Sequence, residues 1–319
     1  MGELLKTDRR GFLKQGIALG VAAGSSVILG KTDSIWAKDV TPNSPDLVAV
    51  KNGQPDTLFK KAISLMGGMG QFVKKGQTVV VKPNIGFAGR PEMCATTNPL
   101  LVRTVVEHCL AAGARKVYVF DNATMAGSAA ENCYRISGIE EAARKGGATV
   151  VPGNEEKYYK EVKIPGGKVL KSAKVHELLL SSDVFINVPI LKSHSYAHLT
   201  AGMKNLMGVV WDRMTYHMSG LDQCIADFCL YRKPDLNIVD AYRVLMKNGP
   251  SPPRSESAAA RDIELKKTLL ISRDIVTVDA AAAKIFGSDP ERIRYIRTGH
   301  EQRIGNMHLD KLKIATHAM

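Results

Sequence analysis

The chain has 319 residues, 45% apolar and 24% charged, with 44 Lys/Arg against 31 Asp/Glu and a formal net charge of +13. This is the composition of an ordinary globular protein, long enough for one large or two modest domains, and it excludes a disordered or low-complexity chain. The basic excess favours anionic ligands or surfaces, but no basic run is interleaved with aromatics and no nucleic-acid motif occurs, so nucleic acid is not an expected partner.

The first element in chain order is a targeting segment. Residues 7–14 read TDRRGFLK, and the apolar, glycine-bearing stretch GIALGVAAGSSVILG follows at 16–30. Charges first and an apolar run second is the layout of an export signal. Arg9 and Arg10 with Phe12, Leu13 and Lys14 resemble the twin-arginine signal, with Asp8 where Ser or Thr is commoner. The resemblance implies an extracytoplasmic, periplasmic protein that meets the Tat translocase during export. Cleavage is expected after Ala37, leaving 38–319 as a single α/β domain or two lobes. Retention of the segment as an anchor is left open.

Strands and helices then alternate. QTVVVK at 77–82 has the pattern of a buried strand, and residues 98–112 read as a helix capped by Thr97 or Asn98, with Pro99 in its first turn and Gly113 at its end. KVYVFD at 116–121 is a second strand, which makes a βαβ unit with parallel strands. A helix at 139–145, a short strand at 148–151, and a hairpin over 160–171 around Pro165-Gly166-Gly167 come next. Residues 183–189 form a strand, 221–231 a helix, and LNIVDA at 236–241 a strand ending in Asp240. A strand at 268–272, an alanine-rich helix at 275–286, a helix beginning at Asp289-Pro290 and the segment 311–316 complete the chain. The expected class is α/β: a largely parallel, Rossmann-like sheet flanked by helices, with a small β-hairpin insertion near 160–171.

The five cysteines form no C-x-x-C and none of the ferredoxin-type clusters, and their odd number leaves at least one thiol unpaired. Cys224 and Cys229 read as core thiols. The cofactor is unspecified, with a metal as one candidate. No G-x-G-x-x-G, Walker, G-x-S-x-G or H-E-x-x-H motif occurs.

Ligands of such sheets sit beyond the carboxyl ends of the strands. Lys82 and Asn84 follow the first of these strands, Asp121 the second, and Asp240 a later one. NVPILKSHSYAHLTAGMKNLMGVV at 187–210 puts Lys192, His194, His198, Lys204 and Asn205 after another. Thr200 can cap a helix beginning near Ala201, whose free amides would favour an anion. Lys82, Asn84, Lys192 and Asn205 are expected ligand-binding residues, with Asp121 and Asp240 orienting the cations or holding a metal. His194 and Lys204 are the candidates for proton transfer. His194, His198 and His217 are the candidate metal ligands.

VVVKPNIG at 79–86, TTNPLLVRTVVEHCLAAGARKVYVFDN at 96–122, SDVFINVPILKSHSYAHLTAGMKNLMG at 182–208 and NIVDA at 237–241 resemble the domain-of-unknown-function 362 family. SRDIVTVDAAAAKIFGSDP at 272–290 belongs to the same resemblance. The family name carries no activity; iron–sulfur members imply a redox setting for some relatives. The order of elements is also similar, more distantly, to the amino-terminal domain of nickel-pincer lactate racemases. There the resemblance implies a cofactor on the lysine matching Lys204 and a metal-binding histidine nearest His217. The His-Arg pair expected after the second strand is Asp121-Asn122-Ala123-Thr124 here. Three readings follow: a binder of a small anionic ligand in a cationic crevice, with catalysis undecided; a non-catalytic accessory or maturation factor for a periplasmic redox partner; and a metal- or pincer-cofactor-dependent enzyme.

Overall fold

The computed structural model describes residues 35–36, 44–125 and 127–319. The twin-arginine segment and the expected cleavage position Ala37 lie outside the described residues.

Among the described residues twelve strands follow in order: β1 (Leu47–Lys51), β2 (Thr78–Pro83), β3 (Lys116–Val119), β4 (Thr149–Val150), β5 (Tyr159–Lys163), β6 (Ser172–His176), β7 (Val184–Val188), β8 (Ile190–His194), β9 (His198–Thr200), β10 (Leu236–Leu245), β11 (Ile263–Ser272) and β12 (Ile314–Ala318). Ten of them make one sheet, in the order β12-β1-β11-β10-β7-β2-β3-β4, with β8 pairing β10 and β9 pairing β8. The run β10-β7-β2-β3-β4 is parallel throughout. β11 is antiparallel to both of its neighbours, and the β8–β9 pair is also antiparallel. The expected mixed α/β class with a largely parallel sheet therefore holds, and β5–β6 form the separate antiparallel hairpin.

Strict alternation along the strands separates two apolar cores. Val79 and Val81, Val184 and Ile186, and Leu269 and Ile271 enter one core; Val80, Phe185 and Leu270 enter the other. A side-chain period of two puts neighbours on opposite faces, so strands covered on both sides read as unbroken apolar runs. Helices Pro55–Leu65 and Pro99–Ala111 cover the first face through Leu58, Phe59, Leu101 and Val105. Helices Leu221–Tyr231 and Ile275–Phe286 cover the second through Ile225, Phe228, Val276 and Ala280. Each fully buried Val, Leu, Ile or Phe contributes roughly 1.5–3 kcal/mol, which makes these two layers the main source of stability.

Several boundaries differ from the sequence expectation. β1 and helix Pro55–Leu65 had no element assigned to them, although Leu58, Phe59, Ala62 and Ile63 have helical spacing and are buried. β10 does not stop at Asp240 but runs on to Leu245, with its register against β11 shifted between Ala241 and Arg243. Residues 190–200 fold as the β8–β9 hairpin. All five cysteines are buried and free.

Candidate functional site

Beyond the carboxyl ends of β2, β3 and β7 lies a cavity of about 690 Å³. Its floor is an ion pair. Lys82, at the end of β2, is fully buried, and its Nζ lies 2.7 Å from Asp121 Oδ1. Burial lowers the Lys82 pKa and the Asp121 carboxylate partly offsets that. The other Asp121 oxygen accepts from the Ile85 amide at 2.6 Å. Gly208 closes over this pair. A Cβ there would come within 1.8 Å of Asp121 Oδ1 and 2.7 Å of Lys82 Nζ, so a side chain at 208 would force the pair apart.

A chain of asparagines extends from the pair. Asn205 Oδ1 accepts from Lys82 Nζ at 3.2 Å and from Asn84 Nδ2 at 2.9 Å. Asn205 Nδ2 donates to Asn187 Oδ1 at 2.9 Å, and Asn187 Nδ2 donates to Asn237 Oδ1 at 3.1 Å. Buried amides with their partners met in this way fix one arrangement of the floor.

Three more cations line the walls. Lys192, buried in β8, donates to Asn84 Oδ1 at 3.3 Å and to the Ala95 carbonyl, and its ammonium sits 4.9 Å from the centre of the Phe87 ring. Arg213 donates through Nη1 to the Asn122 carbonyl at 2.7 Å and through Nη2 to the Ala123 carbonyl. Among the described residues, Lys204 donates only to the Met207 thioether sulfur, at 3.0 Å, which is a weak acceptor. Among the described residues none of these three has a carboxylate within ion-pair distance. Burial first, and the like charges of neighbouring cations second, push Lys192 down to about 7 and Lys204 down to about 8. Asp212, which also lines the cavity, is exposed and spends its carboxylate on Thr215.

His194 lies at the end of β8. Its Nδ1 accepts from the amides of Tyr196 at 3.1 Å and Ala197 at 3.2 Å. The ring proton therefore sits on Nε2, and burial together with Lys204, Lys192 and His217 lowers the pKa to about 3. A neutral ring with its lone pair engaged offers the cavity a donor rather than a base.

The fold thus brings Lys82, Asn84, Asp121, Lys192, His194, Lys204, Asn205 and His217 to one cavity. Other expectations need correction. Asp240 is not part of the lining: its carboxylate accepts from the Asn98 amide at 2.8 Å and the Tyr242 amide at 3.0 Å, tying the start of helix Pro99–Ala111 to β10. The helix start after Ala201 is not open to a ligand either. Asp279 fills it, its two oxygens accepting from the Gly202 amide at 2.5 Å and the Met203 amide at 2.9 Å. Thr200 makes no capping bond. His198 is exposed and faces His194 only across the β8–β9 register, outside the lining, so the three expected metal ligands do not converge. Among the described residues no group of three or more His, Cys, Asp or Glu is placed to hold a metal ion.

Arg213, Phe87 and Trp211 were not singled out from the sequence. Arg213 falls in the loop after the 206–209 turn, where no periodicity marks it; only its return toward Asn122, 91 residues away in the chain, places it in the cavity.

A family model described as a domain of unknown function, DUF362, matches residues 79–284. The thylakoid-associated protein sll1697 of a Synechocystis strain is 31% identical over 245 residues, covering 72% of this chain and 68% of that protein. The lactate racemase apoprotein of Thermoanaerobacterium thermosaccharolyticum is 12% identical, with a TM-score of 0.43 over 69% of this chain and 53% of that one. A Thermotoga maritima protein solved by structural genomics is also 12% identical, with a TM-score of 0.48 over 74% of this chain and 59% of that one. This chain therefore spans little more than half the length of either solved structure. No helix among the described residues is long and apolar enough to cross a membrane.

Proposed function

Because the chain belongs to the domain-of-unknown-function 362 family, whose name assigns no activity, we propose a function from the site itself: the protein binds a small anion, bearing phosphate or carboxylate, in the cavity above the sheet. The observation that carries this reading is the set of three cations, Lys192, Lys204 and Arg213, lining one cavity with no carboxylate within ion-pair distance among the described residues. Lys192 is buried and Lys204 and Arg213 are half-buried, so each charge is held partly out of water at a cost that an anion spanning the three offsets. Lys82 and Asp121 neutralise each other and serve as a rigid floor. His194 adds a neutral Nε2–H donor. Lys204 is the proton-transfer candidate that the geometry leaves in place, since its ammonium has only a thioether partner and its pKa is close to neutrality.

Sulfate tests the reading cleanly, because its charge does not change between pH 6 and 10. Lys192 and Lys204 must be protonated to hold an anion, and they lose protons near pH 7 and 8. Sulfate affinity, measured by isothermal titration at low ionic strength, should therefore fall about tenfold or more between pH 6.5 and 9. Absence of binding at pH 6.5, or an affinity indifferent to pH, would overturn the proposal.

The site of action in this reading is outside the cytoplasm. Arg9 and Arg10 support it from the sequence, and the thylakoid association of the Synechocystis relative is compatible with it. Replacing both arginines by lysine should hold the protein in the cytoplasmic fraction of its own host. Unchanged fractionation would count against twin-arginine export.

A further inference from the structure

The charged groups occupy only part of the cavity. At about 690 Å³ it has the size of sites that enclose drug-sized molecules, several times the space that a bare phosphate needs. Phe87, Tyr196, Trp211, Met207 and Met214 contribute to the remaining lining. The Lys192 ammonium lies over the Phe87 ring on one wall, 4.9 Å from its centre. Tyr196, at the β8–β9 turn, meets His217 edge-on with ring centres 6.0 Å apart. This contact joins the hairpin to the short helix Met214–Ser219 above the cations. Tyr196 and Met214, which both line the cavity, are 76% and 63% exposed and present large apolar surfaces.

We propose that the ligand is a phosphomonoester of a flat aromatic or heterocyclic body, its dianionic group held by Lys192, Lys204 and Arg213 and its ring covered by Phe87, Tyr196 and Trp211. This deepens the anion-site reading and depends on it. The charges match: a dianion offsets most of the three unpaired cations. Aromatic faces suit a planar body, because stacked rings attract beyond simple area burial and Tyr or Trp loses little side-chain freedom on ordering. An extended polyol phosphate would gain nothing from these walls.

The experiment compares 1-naphthyl phosphate, glycerol 3-phosphate and inorganic phosphate on the full chain by isothermal titration at pH 7. Naphthyl phosphate should bind at least about tenfold more tightly than either of the others. Tyr196→Ala should remove about fivefold or more of that preference and leave the inorganic phosphate affinity within about twofold. Tyr196 is mostly exposed, so its loss does not threaten folding. Equal affinities for the three probes, or a Tyr196→Ala variant that weakens all three alike, would overturn the aromatic assignment while leaving the anion site standing. Failure of all three to bind would overturn both.

Discussion

Lys204→Met is expected to cut sulfate and phosphate affinity by about thirtyfold, the worth of one charge-assisted contact of roughly 2 kcal/mol, while the ligand-free fold becomes slightly more stable. The two effects have one cause. In the ligand-free protein Lys204 is a cation beside Arg213 and Lys82 with only a thioether to donate to, and burial lowers its pKa to about 8. Methionine fills similar space without the charge, so a gain of about 1 kcal/mol, or roughly 1–2 °C in Tm, is expected at pH 7. A residue needed only for structure would lose stability and affinity together.

The pH dependence sharpens this test. An unfolded lysine titrates near 10.5, whereas Lys192 and Lys204 titrate near 7 and 8 in the folded chain. Between those values the unfolded chain holds more protons, so these two groups make stability rise with pH from about 7 to about 10.5. The destabilisation is fully present below pH 7. Urea melts across this window should show a steeper dependence on pH in the parent than in Lys204→Met, and a flatter one with saturating sulfate. Because the five buried thiols, whose pKa values burial raises, oppose the rise equally in both proteins, a parent whose stability climbs no more steeply than that of Lys204→Met would contradict the assignment.

Asp121→Asn carries the largest expected loss of stability. It leaves Lys82 fully buried with no counter-charge, and breaking a buried pair from one side costs about 3–5 kcal/mol. The double variant Lys82→Met/Asp121→Asn should recover a large part of that loss, since the uncompensated charge goes with it. Gly208→Ala should reproduce part of the same deficit, because its Cβ would occupy the space between the two side chains. Urea denaturation midpoints for the four proteins test this. A double variant as unstable as Asp121→Asn alone would show that charge compensation is not what Asp121 supplies.

Much of the site was readable from local pattern. Lys82, Asp121 and the 192–205 cluster follow strands whose apolar runs are unmistakable, and a parallel sheet sends the ends of its strands to one edge. The misreadings share a different origin. Asp240 looked like another such end, but β10 continues through it, and its carboxylate is consumed by an amide 142 residues earlier. The helix start after Ala201 reads as open in sequence because Asp279, 77 residues beyond Gly202, cannot be seen beside it. His198 looked like a partner of His194, but the hairpin turn leaves it exposed.

By itself, the sequence determined the α/β class, the position along the chain of most strands, and several of the lysines and asparagines that crowd one edge. Alternation of apolar residues is a local property, and burial on both faces leaves it little freedom. Only the tertiary structure decided which charges are satisfied. It spent Asp240 and Asp279 on backbone amides, paired Asp121 with Lys82, and turned Arg213 back over Asn122. Whether a cation is paired depends on which distant carboxylate the fold brings within about 4 Å. By that criterion Lys192, Lys204 and Arg213 are the cations of the cavity left without a carboxylate among the described residues.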